Sequence, residues 1–126
     1  MAKQKFKILV VDDDPFVRDM LAFILESNDY LIDTAVNGIE ALQKYSADPN
    51  IGLIVSDMNM PEMNGLELIK ELRNNKADVP IIILTGNDEV SVAIEAMNCG
   101  ANDSLVKDEN IQDTIFMSVE KVLEKH

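Results

Sequence analysis

Short apolar runs alternate along this chain with segments whose apolar residues recur at helical spacing, and this alternation most constrains the fold. Five runs have the length of a strand, at residues 6–11, 30–36, 51–56, 79–84 and 104–106. The helical segments that follow them cover residues 17–25, 39–45, 66–73, 90–97 and 111–122. A strand followed by a helix, five times over, requires parallel pairing and right-handed crossovers. The pattern therefore predicts an α/β protein.

The residues at the helix starts support these boundaries. Asp14 before Pro15 is typical of a cap followed by a first helical position. Asn37 and Asn64 each stand three residues before a glutamate, a variant of the capping box. In the fourth helical segment the apolar residues at helical spacing are Val90, Ala93, Ile94 and Met97.

The composition of the strands predicts their order. KILVV, GLIV and PIIIL are apolar on both faces, as central strands covered by helices require. Asp33 and Thr34 in the second strand and Ser104 in the fifth suit edge strands. We therefore predict a flavodoxin-like (βα)5 three-layer sandwich whose parallel five-stranded sheet has the order 2-1-3-4-5. The length of 126 residues predicts one domain, residues 1–126, with no output domain.

Charge and cysteine content exclude several classes of function. Eleven basic and 23 acidic residues give a net charge of −12, which argues against a nucleic-acid surface that would neutralise phosphates. Cys99 is the single cysteine, so an intramolecular disulfide is impossible and a cytoplasmic location is expected. The longest apolar run, residues 20–25, is far below the roughly 18 residues of a membrane span. No direct nucleic-acid or membrane partner is predicted.

The predicted strands end in polar residues. In an open parallel sheet, sites form beyond the carboxyl ends of the strands, where the strand order switches between the first and third strands. One crevice should therefore be surrounded by Asp12, Asp13 and Asp14 after the first strand, Asp57 after the third, Thr85 and Gly86 after the fourth, and Lys107 after the fifth.

Carboxylates crowded in this way repel one another unless a cation compensates them. The available ligands are oxygen atoms, which favours Mg²⁺ over Zn²⁺. Lys107 offers a compact positive charge and Thr85 a hydroxyl donor, and both can bind the oxygens of a phosphoryl group attached to Asp57. The crevice is therefore predicted to hold a phosphoryl group on a carboxylate.

The sequence resembles the receiver domain of bacterial two-component response regulators, in four motifs that span nearly the whole chain. The motifs are ILVVDDDP at residues 8–15, LIVSDMNMPEMNG at 53–65, IIILTG at 81–86 and VK at 106–107. The resemblance implies that Asp57 accepts a phosphoryl group from a histidine kinase or phosphotransfer protein. It also implies that Asp12, Asp13, Asp57 and the main-chain carbonyl of Asn59 hold Mg²⁺, that Thr85 senses the phosphoryl group and that Lys107 pairs with it. Such a protein is a signalling switch that assists its own phosphorylation and dephosphorylation, and its output is binding to a downstream protein that the sequence does not identify.

Two positions depart from the family pattern. Ser104 replaces an aromatic residue three positions before the lysine, and Asp108 replaces the proline after it. A cis bond before a residue other than proline costs about 3–4 kcal/mol, so we predict a trans peptide between Lys107 and Asp108. The resemblance further implies that Asn59 and Asn87 influence how water reaches the acyl phosphate.

Two alternative functions stay open at this point. A phosphohydrolase of the haloacid dehalogenase type would use Asp12 and Asp14 as its DxD motif, although the chain is short and Asp57 has no role in that family. A pseudo-receiver would bind partners without phosphorylation, which Ser104 and Asp108 favour and the complete acidic site opposes.

Overall fold

The computed structural model describes residues 7–125, in which five strands alternate with five helices. The strands are β1 (Lys7–Val11), β2 (Leu31–Ala35), β3 (Ile51–Asp57), β4 (Ile81–Thr85) and β5 (Asp103–Val106), and the helices are α1 (Pro15–Glu26), α2 (Gly38–Ala47), α3 (Gly65–Asn74), α4 (Val90–Cys99) and α5 (Ile111–Lys125). The predicted strand boundaries agree with these to within two residues, and the predicted start at Phe6 lies outside the described residues. None of the described helices combines the length and the apolar character needed to cross a membrane.

All neighbouring strands of the sheet pair in parallel, in the order β2-β1-β3-β4-β5. The predicted flavodoxin-like order is therefore confirmed, with β2 and β5 at the edges as their polar residues suggested. The switch in strand order lies between β1 and β3, where Val11 pairs with Ser56. The carboxyl ends of these two strands are consequently neighbours.

Alternate residues of the central strands supply two separate apolar clusters, one on each face of the sheet. In β3, Ile54 packs with α2, α3 and α4, whereas Val55 packs with α1 and α5. This division follows from the two-residue period of a strand, which sends successive side chains to opposite faces. The site at the strand ends therefore rests on strands that are packed on both sides.

The predicted helix caps are present. Asp14 Oδ1 accepts a hydrogen bond of 2.9 Å from the Phe16 N–H at the start of α1. Asn64 forms a reciprocal capping box at the start of α3, and Asn37 Oδ1 accepts from the Glu40 N–H at the start of α2. These bonds satisfy donors that an uncapped helix leaves without a partner.

The helix predicted from the apolar spacing of Val90, Ala93, Ile94 and Met97 is present as α4, but most of these residues are exposed. Val90, Ile94 and Met97 are 67%, 57% and 41% exposed. Ala96 is instead the buried residue of this helix, with Val92 packed against the same apolar cluster. The sequence of α4 carries apolar residues on two faces, so spacing alone does not identify the face that meets the sheet.

Candidate functional site

Three carboxylates converge at the switch point. Asp12 follows β1, Asp57 ends the neighbouring β3, and oxygen atoms of these two residues and of Asp13 all lie within 4.8 Å of one another. Asp12 is fully buried and Asp57 is 6% exposed, whereas Asp13 is exposed. Two carboxylates of the cluster are thus buried, and the cluster is open to solvent on the side of Asp13.

The buried Asp12 is fixed by contacts to its backbone and both of its carboxylate oxygens. Its Oδ1 accepts from the Asp14 N–H at 2.9 Å, and its Oδ2 lies 3.2 Å from Lys107 Nζ. Its main-chain carbonyl accepts from Arg18 Nη1 at 2.9 Å. The sequence pattern does not single out Arg18, because an arginine one turn into α1 is also an ordinary surface residue.

Lys107 spans the two buried carboxylates. Its Nζ lies 3.1 Å from Asp57 Oδ1 as well as 3.2 Å from Asp12 Oδ2. The Lys107 N–H donates to the Thr85 carbonyl at 2.8 Å, which anchors the backbone after β5 to the end of β4. The ammonium group therefore reaches the acidic cluster from the opposite side of the switch point.

The pKa values of Asp57 and Lys107 are both raised, as expected where carboxylates outnumber the positive charges beside them. Burial and the charge of Asp12 raise the pKa of Asp57, against the opposing effect of Lys107. Burial lowers the pKa of Lys107, but the carboxylates of Asp57 and Asp12 outweigh it and the net pKa is raised. Three carboxylates facing one ammonium leave two negative charges. These residues fit a hard divalent cation, since their ligand atoms are oxygens and a cation of this charge balances the cluster.

Thr85 completes the site from β4. Thr85 is 3% exposed. The residue before it in β4, Leu84, is in register with Asp57 of β3. The Thr85 hydroxyl donates to the Leu105 carbonyl over a long 3.5 Å. A bond of this length is weak, so the hydroxyl can turn to a better acceptor near Asp57.

A glutamate that the sequence analysis missed connects the two loops around Asp57. Glu89 Oε1 accepts from the Gly86 N–H at 2.7 Å, and Glu89 Oε2 accepts from Asn59 Nδ2 at 2.8 Å. A glutamate three residues after Gly86 has the spacing of half a capping box, which is the signal that could have found it. Asn87, predicted to influence water together with Asn59, lies exposed in the loop before α4.

Gly65, the last residue of the motif at residues 53–65, lies behind Asp57. It is the first residue of α3, and its N–H donates to the Met58 carbonyl at 2.9 Å. A Cβ atom at this position would stand 2.7 Å from the Asp57 carbonyl oxygen and 3.0 Å from Met58 Cα. Glycine is therefore required by the close approach of α3 to the end of β3.

The unusual residues at and near β5 are accommodated without a special geometry. Every peptide bond in residues 7–125 is trans, so the trans bond predicted between Lys107 and Asp108 is confirmed. Asp108 Oδ1 accepts from the Asn110 N–H at 2.9 Å and so shapes the turn into α5. Ser104 pairs with Ile83 in the sheet and is partly buried.

Asp14 does not share the position of the other acids. Its Oδ1 is engaged as the cap of α1, and the residue is exposed. The pair of Asp12 and Asp14 required by the hydrolase hypothesis therefore has one member facing the helix start. Asp57 takes the place next to Asp12.

The comparisons with known proteins agree on one family. The model of the response regulator receiver domain matches residues 8–117. Response regulator MprA of Mycobacterium ulcerans is 41% identical over 101 residues, which are 80% of this chain and 43% of that protein. The chain thus spans less than half the length of the curated relatives it matches.

Solved structures show the same similarity over nearly the whole chain. The response regulator TrrA of Thermotoga maritima, in complex with Mg(2+)-BeF, is 38% identical with a TM-score of 0.82 and covers 93% of this chain and 98% of its own. The chemotaxis protein CheY4 of Vibrio cholerae is 33% identical with a TM-score of 0.85, over 94% of this chain and 99% of its own.

Proposed function

Because the chain belongs to the response regulator receiver domain family, we propose that it is a phosphorylation-dependent switch whose acceptor is Asp57. The donor is a histidine kinase or a phosphotransfer protein. The observation that carries this proposal is the position of Asp57 at the end of β3, with two further carboxylates on one side and Lys107 3.1 Å from its Oδ1.

The transfer is a displacement at phosphorus. A carboxylate oxygen of Asp57 forms a bond to the phosphorus atom, the bond between phosphorus and the donor imidazole nitrogen breaks, and its electron pair returns to the imidazole. Lys107 and the Thr85 hydroxyl bind oxygens of the transferred group. The ammonium of Lys107 also offsets charge that the group brings to a site where burial already raises the pKa of Asp57.

Mg²⁺ is the proposed cofactor, held by Asp12, Asp13, Asp57 and the main-chain carbonyl of Asn59. Its support is the set of three carboxylates within 4.8 Å and the excess of two negative charges around Lys107. When bound, the ion would offset the negative charge of the carboxylates and of the phosphoryl oxygens. Asp12 would be oriented by the partners of its two carboxylate oxygens, the Asp14 N–H and Lys107 Nζ.

Output is proposed to be binding to a protein partner in the cytoplasm, with residues 1–126 acting as one receiver domain. A phosphoryl group gains about 1 kcal/mol from Thr85 and about 1.5–3 kcal/mol from Lys107 if both bonds form only in the active state. This corresponds to about two to three decades of population shift. Thr85 and Lys107 lead into α4 and α5, so the change is expected mainly in residues 85–110.

The deciding experiment is labelling with a small phosphodonor and Mg²⁺, followed by intact mass. The expected result is a gain of one phosphoryl group that Asp57→Asn abolishes, Asp13→Ala strongly reduces and Asp12→Asn weakens. Label that remains on Asp57→Asn and disappears from Asp12→Asn would establish the hydrolase alternative instead.

The pseudo-receiver alternative is tested with beryllofluoride, a mimic of the phosphoryl group, by amide NMR. A switch requires shifts through residues 85–110. Shifts limited to the loop around Asp57 would contradict the switch and favour the pseudo-receiver.

A further inference from the structure

We infer that Glu89 holds the site in its unphosphorylated arrangement and competes with a phosphoryl group on Asp57 for the same surroundings. The inference deepens the proposed function and rests on it. We refer to the Glu89 carboxylate with its hydrogen bonds to Gly86 and Asn59 as the Glu89 bridge.

The Glu89 bridge crosses the mouth of the site. Asn59 lies two residues beyond Asp57, and Gly86 directly follows Thr85. The two loops begin at neighbouring strand ends, since Asp57 is in register with Leu84 and the Met58 N–H donates to the Leu84 carbonyl at 3.0 Å. A group attached to the Asp57 carboxylate is therefore expected beside the two loops that Glu89 connects.

The Gly86 N–H is an anion-binding donor that already holds an anion. It directly follows the Thr85 hydroxyl proposed to bind a phosphoryl oxygen, and its 2.7 Å bond to Glu89 Oε1 is short for an N–H donor. A phosphoryl group carries about −1.5 to −2 charges at neutral pH and three strong acceptor oxygens. It competes with Glu89 for this donor and repels the carboxylate.

Lys107 adds a second reason for competition. Hydrogen bonds from Gly86 and Asn59, and to a smaller extent the charge of Lys107, hold the pKa of Glu89 below its ordinary value. The carboxylate is thus a fixed negative charge within the field of the lysine that is to pair with the phosphoryl group. When Glu89 is released, the Gly86 N–H can bind the phosphoryl group, and Lys107 no longer divides its attraction between the Glu89 carboxylate and that group.

The Glu89 bridge also connects the site to α4. Glu89 is the residue that precedes α4, and its carbonyl accepts the Ala93 N–H at 3.0 Å. Its side chain makes no cap bond to the helix because both carboxylate oxygens point back to the loops. Loss of the bridge therefore releases the first turn of α4 from the loop after β3.

The test is the affinity of the full chain for beryllofluoride with Mg²⁺, measured by amide NMR titration. Glu89→Ala removes the carboxylate and is expected to bind beryllofluoride about three- to tenfold more tightly; the effect is moderate because the bond between Glu89 and Asn59 is exposed. Glu89→Gln retains an acceptor for the Gly86 N–H but no charge, so its affinity should lie between Glu89→Ala and the unaltered chain.

Asp88→Asn is the matched control. Asp88 is the residue before Glu89, its side chain is exposed, and the substitution removes the same negative charge. Its affinity should change less than about twofold, since an exposed charge is largely screened. Equal gains in Asp88→Asn and Glu89→Ala would overturn the inference and assign the effect to net charge. Unchanged or weaker binding in Glu89→Ala would overturn it as well.

A second measurement separates competition from a purely structural contact. The Gly86 amide shift should change on Glu89→Ala alone, and with beryllofluoride it should reach the same value in Glu89→Ala and in the unaltered chain. A Gly86 shift that beryllofluoride leaves unchanged in the unaltered chain, while Asp57→Asn abolishes phosphoryl labelling, contradicts the Glu89 inference but not the proposed function. Absence of both labelling and beryllofluoride binding in the unaltered chain contradicts the proposed function itself.

Discussion

Helices α3 and α4 each have ten residues and pack on the same face of the sheet, but they are anchored very differently. α3 buries four residues and begins with a complete capping box. α4 buries one residue, Ala96, and begins without a side-chain cap. Each helix follows a strand that carries a site residue, Asp57 before α3 and Thr85 before α4.

The difference indicates a division of labour around the site. A firmly packed α3 keeps the backbone of Asp57 in place, and Gly65 brings the helix into contact with it. A weakly packed α4 can change position at a small cost in buried apolar surface, because local stability follows local burial. The proposed switch requires both a fixed Asp57 and an element that responds to its phosphorylation.

The largest effect on the free energy of unfolding is expected when apolar side chains of the two helices are truncated. Leu68→Ala in α3 should lower the free energy of unfolding by about 2–5 kcal/mol, because Leu68 is fully buried and a cavity remains. Ile94→Ala in α4 should change it by less than about 0.5 kcal/mol, because Ile94 is 57% exposed. Urea unfolding measures the free energy of unfolding of both variants. Similar losses in the two variants would contradict the difference in packing between α3 and α4.

The next effect concerns the contact between the two helix ends. The Arg73 guanidinium, at the end of α3, donates to the carbonyl of Gly100 after α4 and to the carbonyls of Ala77 and Val79. Arg73→Met should cost about 1.5–3 kcal/mol of unfolding free energy, and Arg73→Lys should not restore it because an ammonium lacks the planar fork. The control is Lys70→Met, on the exposed side of α3. If this control is equally costly, Arg73 has no special role in joining the helices.

A smaller loss of stability is expected at the first residue of each helix. Gly65→Ala places a Cβ atom 2.7 Å from the Asp57 carbonyl oxygen, a backbone atom, and should cost about 1–3 kcal/mol. It should also slow phosphoryl labelling, since the acceptor backbone has to move. Val90→Ala at the equivalent position of α4 should leave both unfolding and labelling nearly unchanged, as Val90 is 67% exposed. Normal labelling of Gly65→Ala would show that the acceptor tolerates displacement.

The smallest effect is expected at the caps. Asn64→Ala removes the capping box of α3 and should cost about 1 kcal/mol. Glu89→Ala at the cap position of α4 should cost less than about 0.5 kcal/mol, because this side chain makes no cap bond and its bond to Asn59 is exposed. Thermal unfolding compares the two variants. A larger loss in Glu89→Ala would mean that the Glu89 bridge chiefly stabilises the fold.

The sequence was most informative where a local pattern has one structural solution. The alternation of strands and helices, with polar residues in the second and fifth strands, predicted the observed strand order. Polar residues at strand ends predicted that Asp12, Asp13, Asp57, Thr85 and Lys107 would come together, because the carboxyl ends of parallel strands share one edge. The structure brings these residues together at the switch point.

The sequence was least informative where a residue has several possible partners. Apolar residues occupy two faces of α4, and the structure buries the face of Ala96 while Val90, Ile94 and Met97 stay exposed. Glu89 has the spacing of a partial capping box with Gly86, but its bond to Asn59 joins residues 30 positions apart. Patterns within a few residues carry no information about such a contact.

The sequence by itself determined the α/β class, the strand order and the set of residues at the strand ends, because strand and helix periods and chain connectivity are local properties. Only the tertiary structure decided which face of α4 meets the sheet, why Gly65 cannot carry a side chain and where the Glu89 carboxylate binds. Each of these depends on the distance between segments that are far apart in the chain. Close packing fixes such distances to a few tenths of an ångström, and no single segment contains them.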